Sequence, residues 1–543
     1  MLTRILSGLS TAAFLFVTVP AAAQSTDLGV FAPERMQAHM SFLADDLLEG
    51  RGTGTRGFDV AALYVQTQFQ GLGLTPGGNA EGTSWRQPVG FTSTQVMSGG
   101  VAWTPNGGQT VNWAHGAESL MIPVGPGRNT VTAPAVFVGY GIDQPDKGYD
   151  DYAGLDLTGK IAVMFVGGPP GTDDALAEGK QGAAFMRGAV GIVMLNTRAS
   201  EKETPWAMVT EYLTQPQFGL RRPEPPMSGP TPLFAALDIP AAEIMFAGAP
   251  RSGADILAEA DTPDGKPRGF DLPGQITLSI DNQVSQVDST NVVGVLPGSD
   301  PALRDQYVVV MSHLDHEGIS PDETKPDRIY NGAMDNSAGT SAMLEVARAL
   351  ATGPTRPRRS VIFLAVTGEE KGLLGSEYFA NNPTVAKDGL VAVVNMDMPV
   401  LTYAFTDIVV LGSDHSTLGQ TVDRVAASLN LVNSPDPLPE EGFFMRSDHY
   451  SFVQTGVPAI DISTGHANGG AAIWEAFLKD TYHKPNDDLN QPIDWNAAAR
   501  FAQVSTAVVR AVADADQRPL WYAGDEFGDR FAAEAEKAPK PAQ

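Results

Sequence analysis

Apolar runs and amphipathic patterns alternate along the second half of the chain. From about residue 290, short runs rich in Val, Ile and Leu recur, and helical patterns separate them. The runs are NVVGVLPG, YVVVMSH, SVIFLAVTG, LVAVVNMDM, DIVVLG and VPAIDIS, and the clearest helical patterns are SAMLEVARALA, LGQTVDRVAASLN and WNAAARFAQVSTAVVRAVADA. Continuous apolar strands separated by helices are typical of a largely parallel sheet that is covered on both faces. This pattern predicts an α/β fold over residues 286–515.

The first half of the chain has a different pattern. After Pro33, MQAHMSFLADDLLEG and FDVAALYVQTQFQGLG predict two amphipathic helices, and GRGTGTRG interrupts them. Residues 133–195 contain short Val- and Ile-rich runs with Gly at their ends, which predict a β-rich unit with its own core. The stretch QPQFGLRRPEPPMSGPTP is interpreted as a loop because of its proline content.

These changes in pattern divide the chain into five parts. The predicted parts are a signal peptide (1–23), an N-terminal segment (24–116), an inserted β-rich domain (117–285), the α/β domain (286–515) and a polar C-terminal tail (516–543) expected to be a loosely attached helix.

The first residues have the pattern of an export signal. A basic MLTR precedes the apolar ILSGLSTAAFLFVTVP, and AAA follows just before Gln24. We expect cleavage after Ala23 and a periplasmic or secreted protein. No later run of about 18 apolar residues occurs, so no membrane association is expected after cleavage.

Composition narrows the possible chemistry. The 36 basic and 63 acidic residues give a net charge of −27, which argues against a nucleic-acid partner because little positive surface is available for phosphates. The chain has no cysteine, so a metal site would have to use His, Asp and Glu.

Acidic and histidine side chains follow several of the predicted strands. In a sheet of this kind, ligands bind at the carboxyl ends of the strands. The residues found there are His313, Asp315, Asp335, Glu369, Glu370, Asp397 and His483. Each has an ordinary interpretation alone, such as a helix cap or a solvated turn. Two histidines and three carboxylates, which this set contains, are a suitable ligand set for a pair of divalent cations.

Five of these segments resemble, in order, the motifs of the co-catalytic di-zinc exopeptidases. The segments are SHLDH, NGAMDNSAG, TGEEKGLLGS, VNMDM and YHKPNDD. That family includes bacterial leucyl-type aminopeptidases, glutamate carboxypeptidase II and the transferrin receptor. SFLADDLLEGRGTGTRG is similar to its N-terminal segment, and GYGI through GAVGIVML resembles the protease-associated domain often inserted in it. The resemblance covers residues 33–515 and implies the zinc exopeptidase fold.

The resemblance also implies the metal ligands. It assigns two zinc ions per chain, one held by His313, Asp335 and Asp397 and the other by Asp335, Glu370 and His483. Asp335 would bridge the two ions. The resemblance implies a cis peptide bond between Asp335 and the following asparagine.

Catalytic roles follow from the same resemblance. Glu369 would be the general base that takes a proton from water and passes it to the leaving amine. Tyr482 would donate to the developing oxyanion, with ordinary packing as the alternative. Asp448 and His449, in RSDHYSF, are expected either to line the substrate pocket or to be structural.

Carboxylates near the ligands are expected to orient them. Asp315 is predicted to accept a hydrogen bond from the second ring nitrogen of His313, and Asp487 is predicted to do the same for His483. His316 is an alternative ligand that the family pattern disfavours, because the family uses the histidine two positions before the aspartate.

The leading functional hypothesis is a zinc aminopeptidase that acts on peptides. A carboxypeptidase or dipeptidase of the same family is the first alternative, for which Arg446, Arg221 and Arg222 could provide positive charge. A single-zinc cyclotransferase-like relative and a receptor-like binding protein without metals are further alternatives, and the complete ligand set argues against both. The sequence specifies neither the oligomeric state nor the preferred substrate side chain.

Overall fold

The computed structural model describes residues 29–172, 176–222, 232–263 and 265–541. The predicted signal peptide lies outside these ranges. The strands are β1 (Thr75–Pro76), β2 (Arg86–Pro105), β3 (Val111–Ala114), β4 (Ser119–Ile122), β5 (Gly127–Phe137), β6 (Asp143–Gln144), β7 (Tyr149–Asp150), β8 (Ile161–Phe165), β9 (Gly191–Leu195), β10 (Gln217–Leu220), β11 (Leu233–Leu237), β12 (Phe270–Leu296), β13 (Tyr307–His313), β14 (Gly318–Ile319), β15 (Ile329–Tyr330), β16 (Ser360–Val366), β17 (Leu390–Asn395), β18 (Asp407–Leu411), β19 (Val432–Ser434) and β20 (Ala459–Thr464).

Helices lie between these strands. The α-helices are α1 (Pro33–Leu43), α2 (Arg56–Gly71), α3 (Lys180–Met186), α4 (Arg198–Glu203), α5 (Trp206–Leu213), α6 (Ile239–Met245), α7 (Gly253–Ala260), α8 (Gly339–Thr352), α9 (Leu374–Asn381), α10 (Leu418–Ser428), α11 (His449–Val453), α12 (Gly470–Asp480), α13 (Trp495–Asp514) and α14 (Glu526–Phe531). A 3₁₀ segment covers Asp46–Arg51, and a π-helical turn covers Ala333–Ala338.

One mixed sheet runs through the molecule. Its order is β19-β18-β20-β17-β13-β16-β12-β5-β8-β9-β11-β4. Strands β16, β13, β17 and β20 are parallel neighbours, whereas β18 runs antiparallel to β20 and β12 runs antiparallel to β16. The predicted α/β class is confirmed, and the central sheet is mixed.

Both faces of the parallel strands are buried, as their continuous apolar sequences predict. In β13, Val308 and Val310 lie in the core formed with α1, α2, α8 and α13, whereas Val309 and Met311 lie in the opposite core with Phe379. Successive residues of a strand point to opposite faces, so both sets must be apolar when helices cover both sides. The chemistry-bearing residues therefore remain at the strand ends.

The part of the chain predicted as an inserted β-rich domain (117–285) contains helices as well as strands. Strands β5, β8, β9 and β11 run parallel, and α3, α6 and α7 lie in the connections between elements of this part. Its core already contains Trp103 and Trp113, which precede residue 117. The boundary expected at 117 therefore falls inside this core.

Strands β2 and β12 form a long antiparallel ribbon between the two cores. They pair from Gly274 with Pro105 to Val292 with Arg86, and a register shift occurs at Asp281. Strand β10 adds to β2, so the stretch interpreted as a Pro-rich loop begins with a paired strand.

The C-terminal segment is not a loosely attached tail. Trp521 is 2% exposed, and its indole N–H donates to the carbonyl of Gly456 at 2.9 Å. Phe527 and Phe531 of α14 pack against the core that contains Phe452. Most residues of this segment are polar, so the sequence analysis did not recognise the anchoring role of these three aromatic residues. Among the described residues, no helix has the length and hydropathy needed to span a bilayer.

Candidate metal centre

The predicted ligands converge at one edge of the sheet. His313 is the last residue of β13, Glu370 follows β16, and Asp397 follows β17. Asp335 lies in the π-helical turn before α8, and His483 follows α12 with a positive φ of 54°. The sheet positions three of the side chains, and two connecting segments supply the others.

The five side chains form two triads that share Asp335. In the first, Nε2 of His313 lies 3.1 Å from Oδ1 of Asp335 and 2.9 Å from Oδ1 of Asp397. In the second, Nε2 of His483 lies 3.1 Å from Oδ2 of Asp335 and 3.1 Å from Oε2 of Glu370. The two oxygens of Asp335 thus face different histidines, as a bridging carboxylate requires.

The backbone around Asp335 is held by Asp487. The amide N–H groups of Met334 and Asp335 each donate to the Asp487 carboxylate at 3.0 Å, and the Asp335–Asn336 peptide bond is cis. The prediction that Asp487 orients His483 is wrong in this respect. Asp487 fixes the turn that presents Asp335, because its carboxylate is buried beneath two backbone donors.

His313 is oriented by a carbonyl and not by a carboxylate. Its Nδ1 lies 3.1 Å from the backbone oxygen of Asp315. The Asp315 carboxylate instead accepts from the Thr53 hydroxyl at 2.7 Å and from the Glu369 amide at 3.2 Å. The predicted contact between the Asp315 side chain and His313 is therefore wrong, because the turn after β13 brings the carbonyl to the ring and directs the carboxylate towards the base.

The adjacent glutamates have different surroundings. Glu369 lines the open cleft at the centre, whereas the Glu370 side chain is 2% exposed and contacts His483. Burial raises the pKa of Glu369 well above its ordinary value, and the charge of Glu370 adds to this effect while His313 opposes it. A carboxyl group with a raised pKa that faces the cleft is suited to accept and return a proton.

The remaining ionisable groups are coupled through charge. Burial would lower the pKa of His313, but Asp397, Glu369 and the hydrogen bonds raise it well above its usual value. The pKa of His483 is likewise raised, because Glu370 and Asp335 outweigh burial. Such strong mutual interaction indicates a concentration of negative charge that a cation would neutralise.

The cleft beside the centre combines acidic and apolar walls. Its acidic walls include Asp335, Asp397, Asp436 and Asp461 in addition to Glu369, and its apolar walls include Met398, Val409, Leu411, Leu438, Phe443 and Trp474. The cleft therefore offers room for an apolar group next to carboxylates.

Tyr482 lies in the same cleft. Its ring centroid is 3.9 Å from that of His483, and burial raises the pKa of its hydroxyl well above the ordinary value. The hydroxyl therefore stays protonated and is able to donate a hydrogen bond.

Two predicted candidates do not line the cleft. Asp448 and His449 are fully buried, whereas the preceding Arg446 and Ser447 reach the cleft. Of the two interpretations left open for Asp448 and His449, burial behind the cleft favours the structural one.

The sequence did not single out Thr53, Arg51 or Ser447. Arg51 is buried and donates to the carbonyls of Leu314, Asn331 and Gly332, next to two ligand-bearing turns. The available signal for Arg51 and Thr53 was GRGTGTRG, which was interpreted as an interruption between two helices and as part of a family-like N-terminal segment, without a role for either residue.

The donor set fits a pair of zinc ions. Imidazole nitrogens and carboxylate oxygens are ordinary zinc ligands, and each triad provides one histidine and two carboxylates, with Asp335 common to both triads. Cations at these positions would offset the charge of the buried carboxylates.

Comparison with known proteins finds a family model that matches part of this chain. Residues 291–509 match the model of Peptidase family M28. The structure is similar to that of an aminopeptidase from Aneurinibacillus sp. strain AM-1, with a TM-score of 0.55 and 19% identity over 89% of this chain and 94% of that one. This likeness shows a shared fold.

Two curated relatives match smaller parts of the chain. Aminopeptidase NAALADL1 from Mus musculus is 33% identical over 149 residues, which are 26% of this chain and 18% of that protein. A probable glutamate carboxypeptidase, AMP1 from Arabidopsis thaliana, is 28% identical over 211 residues, which are 36% of this chain and 27% of that protein. The chain thus spans less than a third of the length of either relative.

Proposed function

We propose, from the match of residues 291–509 to the model of Peptidase family M28, that the protein is a zinc-dependent aminopeptidase that removes N-terminal residues from peptides. The observation that carries the proposal is the pair of triads around Asp335, with Glu369 facing the adjacent cleft. Similarity to proteins named as aminopeptidases supports it.

We propose that two zinc ions are held per chain. His313, Asp335 and Asp397 would hold one, and Asp335, Glu370 and His483 would hold the other. The chemistry that zinc supplies in such a site is polarisation of a carbonyl and acidification of water.

The proton is handled by the protein itself. Glu369 accepts a proton from water at the cleft and delivers it to the amine nitrogen of the leaving peptide, so the proton count balances over the reaction. The amide N–H of Glu369 donates to Asp315, which fixes the base at the end of β16. Tyr482 donates from its hydroxyl to the carbonyl oxygen as negative charge develops there.

The charge of the cleft favours an amino terminus over a carboxyl terminus. Asp436 lines it, does not belong to the proposed ligand set, and would attract an ammonium group. Arg446 also lines the cleft, and its guanidinium forms an ion pair with the Glu441 carboxylate at 3.4 Å.

The other two arginines considered for a carboxypeptidase are also paired. Arg221 contacts Asp288 at 2.9 Å, and Arg222 contacts Glu377 at 2.8 Å. Neither lines the cleft, so the described residues offer no unpaired arginine there for a terminal carboxylate.

We also propose that the chain is exported. The basic start, the apolar run and the Ala-rich site before Gln24 support this. N-terminal sequencing of the protein recovered from its native compartment should begin at Gln24, and an intact Met1 there would contradict export by cleavage.

Paired peptides test the direction of hydrolysis. We expect release of the first residue from a peptide with a free amino terminus and an amidated carboxyl terminus. A peptide with an acetylated amino terminus and a free carboxyl terminus should remain intact. Hydrolysis of the second peptide alone would establish a carboxypeptidase instead.

Variants of the adjacent glutamates test the assigned roles. Glu369→Gln should retain about two zinc ions but lose about 10²- to 10⁴-fold in kcat, because the general base is removed. Glu370→Gln should lose bound metal, because a ligand is removed. Metal analysis and steady-state kinetics on both variants separate the roles, and parental turnover in Glu369→Gln would refute the base assignment.

A further inference from the structure

The two outer carboxylates of the centre have a common arrangement. Asp397 and Glu370 each direct one oxygen to a histidine of the centre, Oδ1 to His313 and Oε2 to His483. The other oxygen of each accepts a hydrogen bond from a buried donor: Ser447 donates to Oδ2 of Asp397, and His316 donates to Oε1 of Glu370. Neither donor belongs to the ligand triads.

Contacts other than the one with Glu370 also hold His316 in place. Its ring is fully buried, and its amide N–H donates to the carbonyl of Arg51 at 3.2 Å. The ring lies directly over Gly332, where an added Cβ would come within 2.7 Å of two ring carbons. Glycine at that position therefore leaves room for the imidazole.

The hydrogen bond to Glu370 dominates the polar environment of the ring. Nδ1 lies 2.5 Å from Oε1 of Glu370 and 4.0 Å from Oδ2 of Asp335. Nε2 has no hydrogen-bond partner among the described residues. Because an ionised carboxylate only accepts, Nδ1 carries the proton in this contact.

His316 is the alternative to His483 as a ligand beside Glu370, because His316, Asp335 and Glu370 also lie close enough together to hold an ion. The contacts of the two histidines differ. His483 lies 3.1 Å from both Asp335 and Glu370, whereas Nδ1 of His316 lies 2.5 Å from Glu370 and 4.0 Å from Asp335. A single close contact with one carboxylate is the arrangement of a charge-assisted hydrogen bond.

Ser447 plays the matching part on the other side. Its hydroxyl donates to Oδ2 of Asp397 at 2.5 Å, and the side-chain amide of Asn395 donates to the Ser447 oxygen at 2.8 Å. The Ser447 oxygen thereby accepts from Asn395 while its hydroxyl proton is donated to Asp397.

We propose that His316 is a positioning residue that holds the carboxylate of Glu370 in the orientation needed for a metal ligand, with Oε1 kept on the His316 ring and Oε2 on the side of His483. The hydrogen bond restrains rotation of the carboxylate, so Glu370 is oriented before a metal binds. The proposal rests on the metal binding within the proposed function and not on the identity of the peptide substrate.

Zinc titration of His316 variants tests the proposal. His316→Leu should weaken one of two zinc-binding steps by about 10- to 100-fold and leave the other at the parental value. His316→Asn keeps an N–H close to the Nδ1 position and should recover most of that loss. The measurements are calorimetric titration of the metal-free protein with zinc and competition with a chelator, both independent of turnover.

Double variants show whether His316 acts on one of the two zinc sites only. In a Glu370→Gln background, in which the zinc-binding step of Glu370 and His483 is lost, His316→Leu should leave the remaining step unchanged, because the polar contact of its ring is with Glu370. In an Asp397→Asn background, its effect should persist. Ser447→Ala is the matched control and should give the opposite pattern in the same two backgrounds.

The outcomes that would overturn the proposal are specific. Parental zinc affinity in His316→Leu would exclude a positioning role, and equal weakness in His316→Asn and His316→Leu would make His316 a direct ligand. Additive losses in both backgrounds would indicate a general structural role. Circular dichroism of each metal-free variant identifies misfolding, in which case His316→Asn, as the smaller change, decides the question.

The proposal and the proposed function fail in different ways. A parental protein that binds two zinc ions but cleaves neither test peptide would refute the aminopeptidase and leave the role of His316 open to the same titrations. A parental protein that binds no zinc would overturn both.

Discussion

At the scale of single residues, neighbouring positions in this centre have opposite environments. Glu369 faces the cleft, and Glu370 is enclosed between His316 and His483. Burial and the nearby negative charge raise the pKa of Glu369, whereas the two histidines hold the pKa of Glu370 well below its ordinary value despite its burial. Two identical side chains on adjacent residues are thereby suited to different tasks.

The sequence identified the ligands better than the partners of those ligands. His313, Asp335 and Glu370 occupy recognisable motifs at strand ends, so their convergence was predictable. That a carbonyl of Asp315 orients His313 was not, because the path of the turn after β13 decides whether a carbonyl or a carboxylate meets the ring. His316 was disfavoured as a ligand because the resembled family uses the histidine two positions before the aspartate, and a donor role for it was not considered.

His449 provides a residue-scale prediction about pH. Burial lowers its pKa from 6.5 to about 3, and His415 adds to this effect. His449 therefore becomes protonated near pH 6.5 in the unfolded chain but only near pH 3 in the folded protein. Its contribution to stability is present above pH 6.5 and is lost as the pH falls towards 3, because the unfolded chain binds the proton more tightly.

His449→Leu should remove this part of the acid sensitivity. Between pH 7 and pH 5, we expect the free energy of unfolding to fall by about 2 kcal/mol less in the variant than in the parent. Urea titrations at the two pH values measure the difference. An identical pH dependence of both proteins would show that the imidazole is not buried in its neutral form.

At the scale of elements, the turns that carry the ligands are tied together by Arg51. Its guanidinium donates to the carbonyl of Leu314, in the turn after β13, and to those of Asn331 and Gly332, just before the turn that carries Asp335. It also donates to the carbonyl of Leu43 at the end of α1. One buried side chain thus joins the N-terminal helices to two ligand-bearing turns.

Replacing Arg51 should therefore loosen several elements at once. Arg51→Met leaves buried carbonyls without donors, and we expect a loss of about 3 kcal/mol or more in the free energy of unfolding, together with weaker zinc binding. The side chain of Arg56, which is 79% exposed, offers the matched control, and Arg56→Met should change stability by no more than about 0.5 kcal/mol. Equal effects of the two substitutions would contradict the role of Arg51.

Element prediction succeeded where hydrophobic periodicity was strong. The helix expected at WNAAARFAQVSTAVVRAVADA is observed as α13, and the strand expected at SVIFLAVTG is observed as β16. The C-terminal segment was misjudged because its attachment depends on Trp521, Phe527 and Phe531, and scattered aromatic anchors do not produce a periodic signal. Packing against a distant part of the chain decides such cases.

At the scale of the whole molecule, the class of the fold was predictable, and the extent of each core was not. Alternating apolar strands and helices required an α/β arrangement, which the sheet order confirms. The second core begins with residues of β2, since Trp103 packs there, although β2 continues as a ribbon beyond it. When one strand passes from one core to the next, its amino-acid composition does not show where the first core ends.

Metal removal should affect the stability of the whole molecule. Without cations, the buried carboxylates of Asp335, Glu370 and Asp397 repel one another, so zinc binding favours the folded state. At free zinc about 100 times the dissociation constant, each site should add about 2.7 kcal/mol. Differential scanning calorimetry with a chelator and with zinc should show a higher Tm with zinc.

Asp335→Asn is the matched variant for this measurement. Because it weakens the residue common to both triads, its Tm should respond much less to zinc than the parental Tm. A parental Tm that is insensitive to zinc and chelator would mean that the centre does not bind the metal.

The ribbon of β2 and β12 limits how the chain could be shortened by engineering. Strand β12 alone is 27 residues long, and its far end lies beside β16, which leads to Glu369 and Glu370. Removing the part of the chain that contains β3 to β11 would require cutting β2 and β12 within their paired length. The shortened strands would then expose unpaired backbone N–H and C=O groups that could pair with another chain. Engineers who want a minimal version would thus have to design a new tight turn across the ribbon. Modular swapping of this region among relatives is correspondingly constrained to joints in register on both strands.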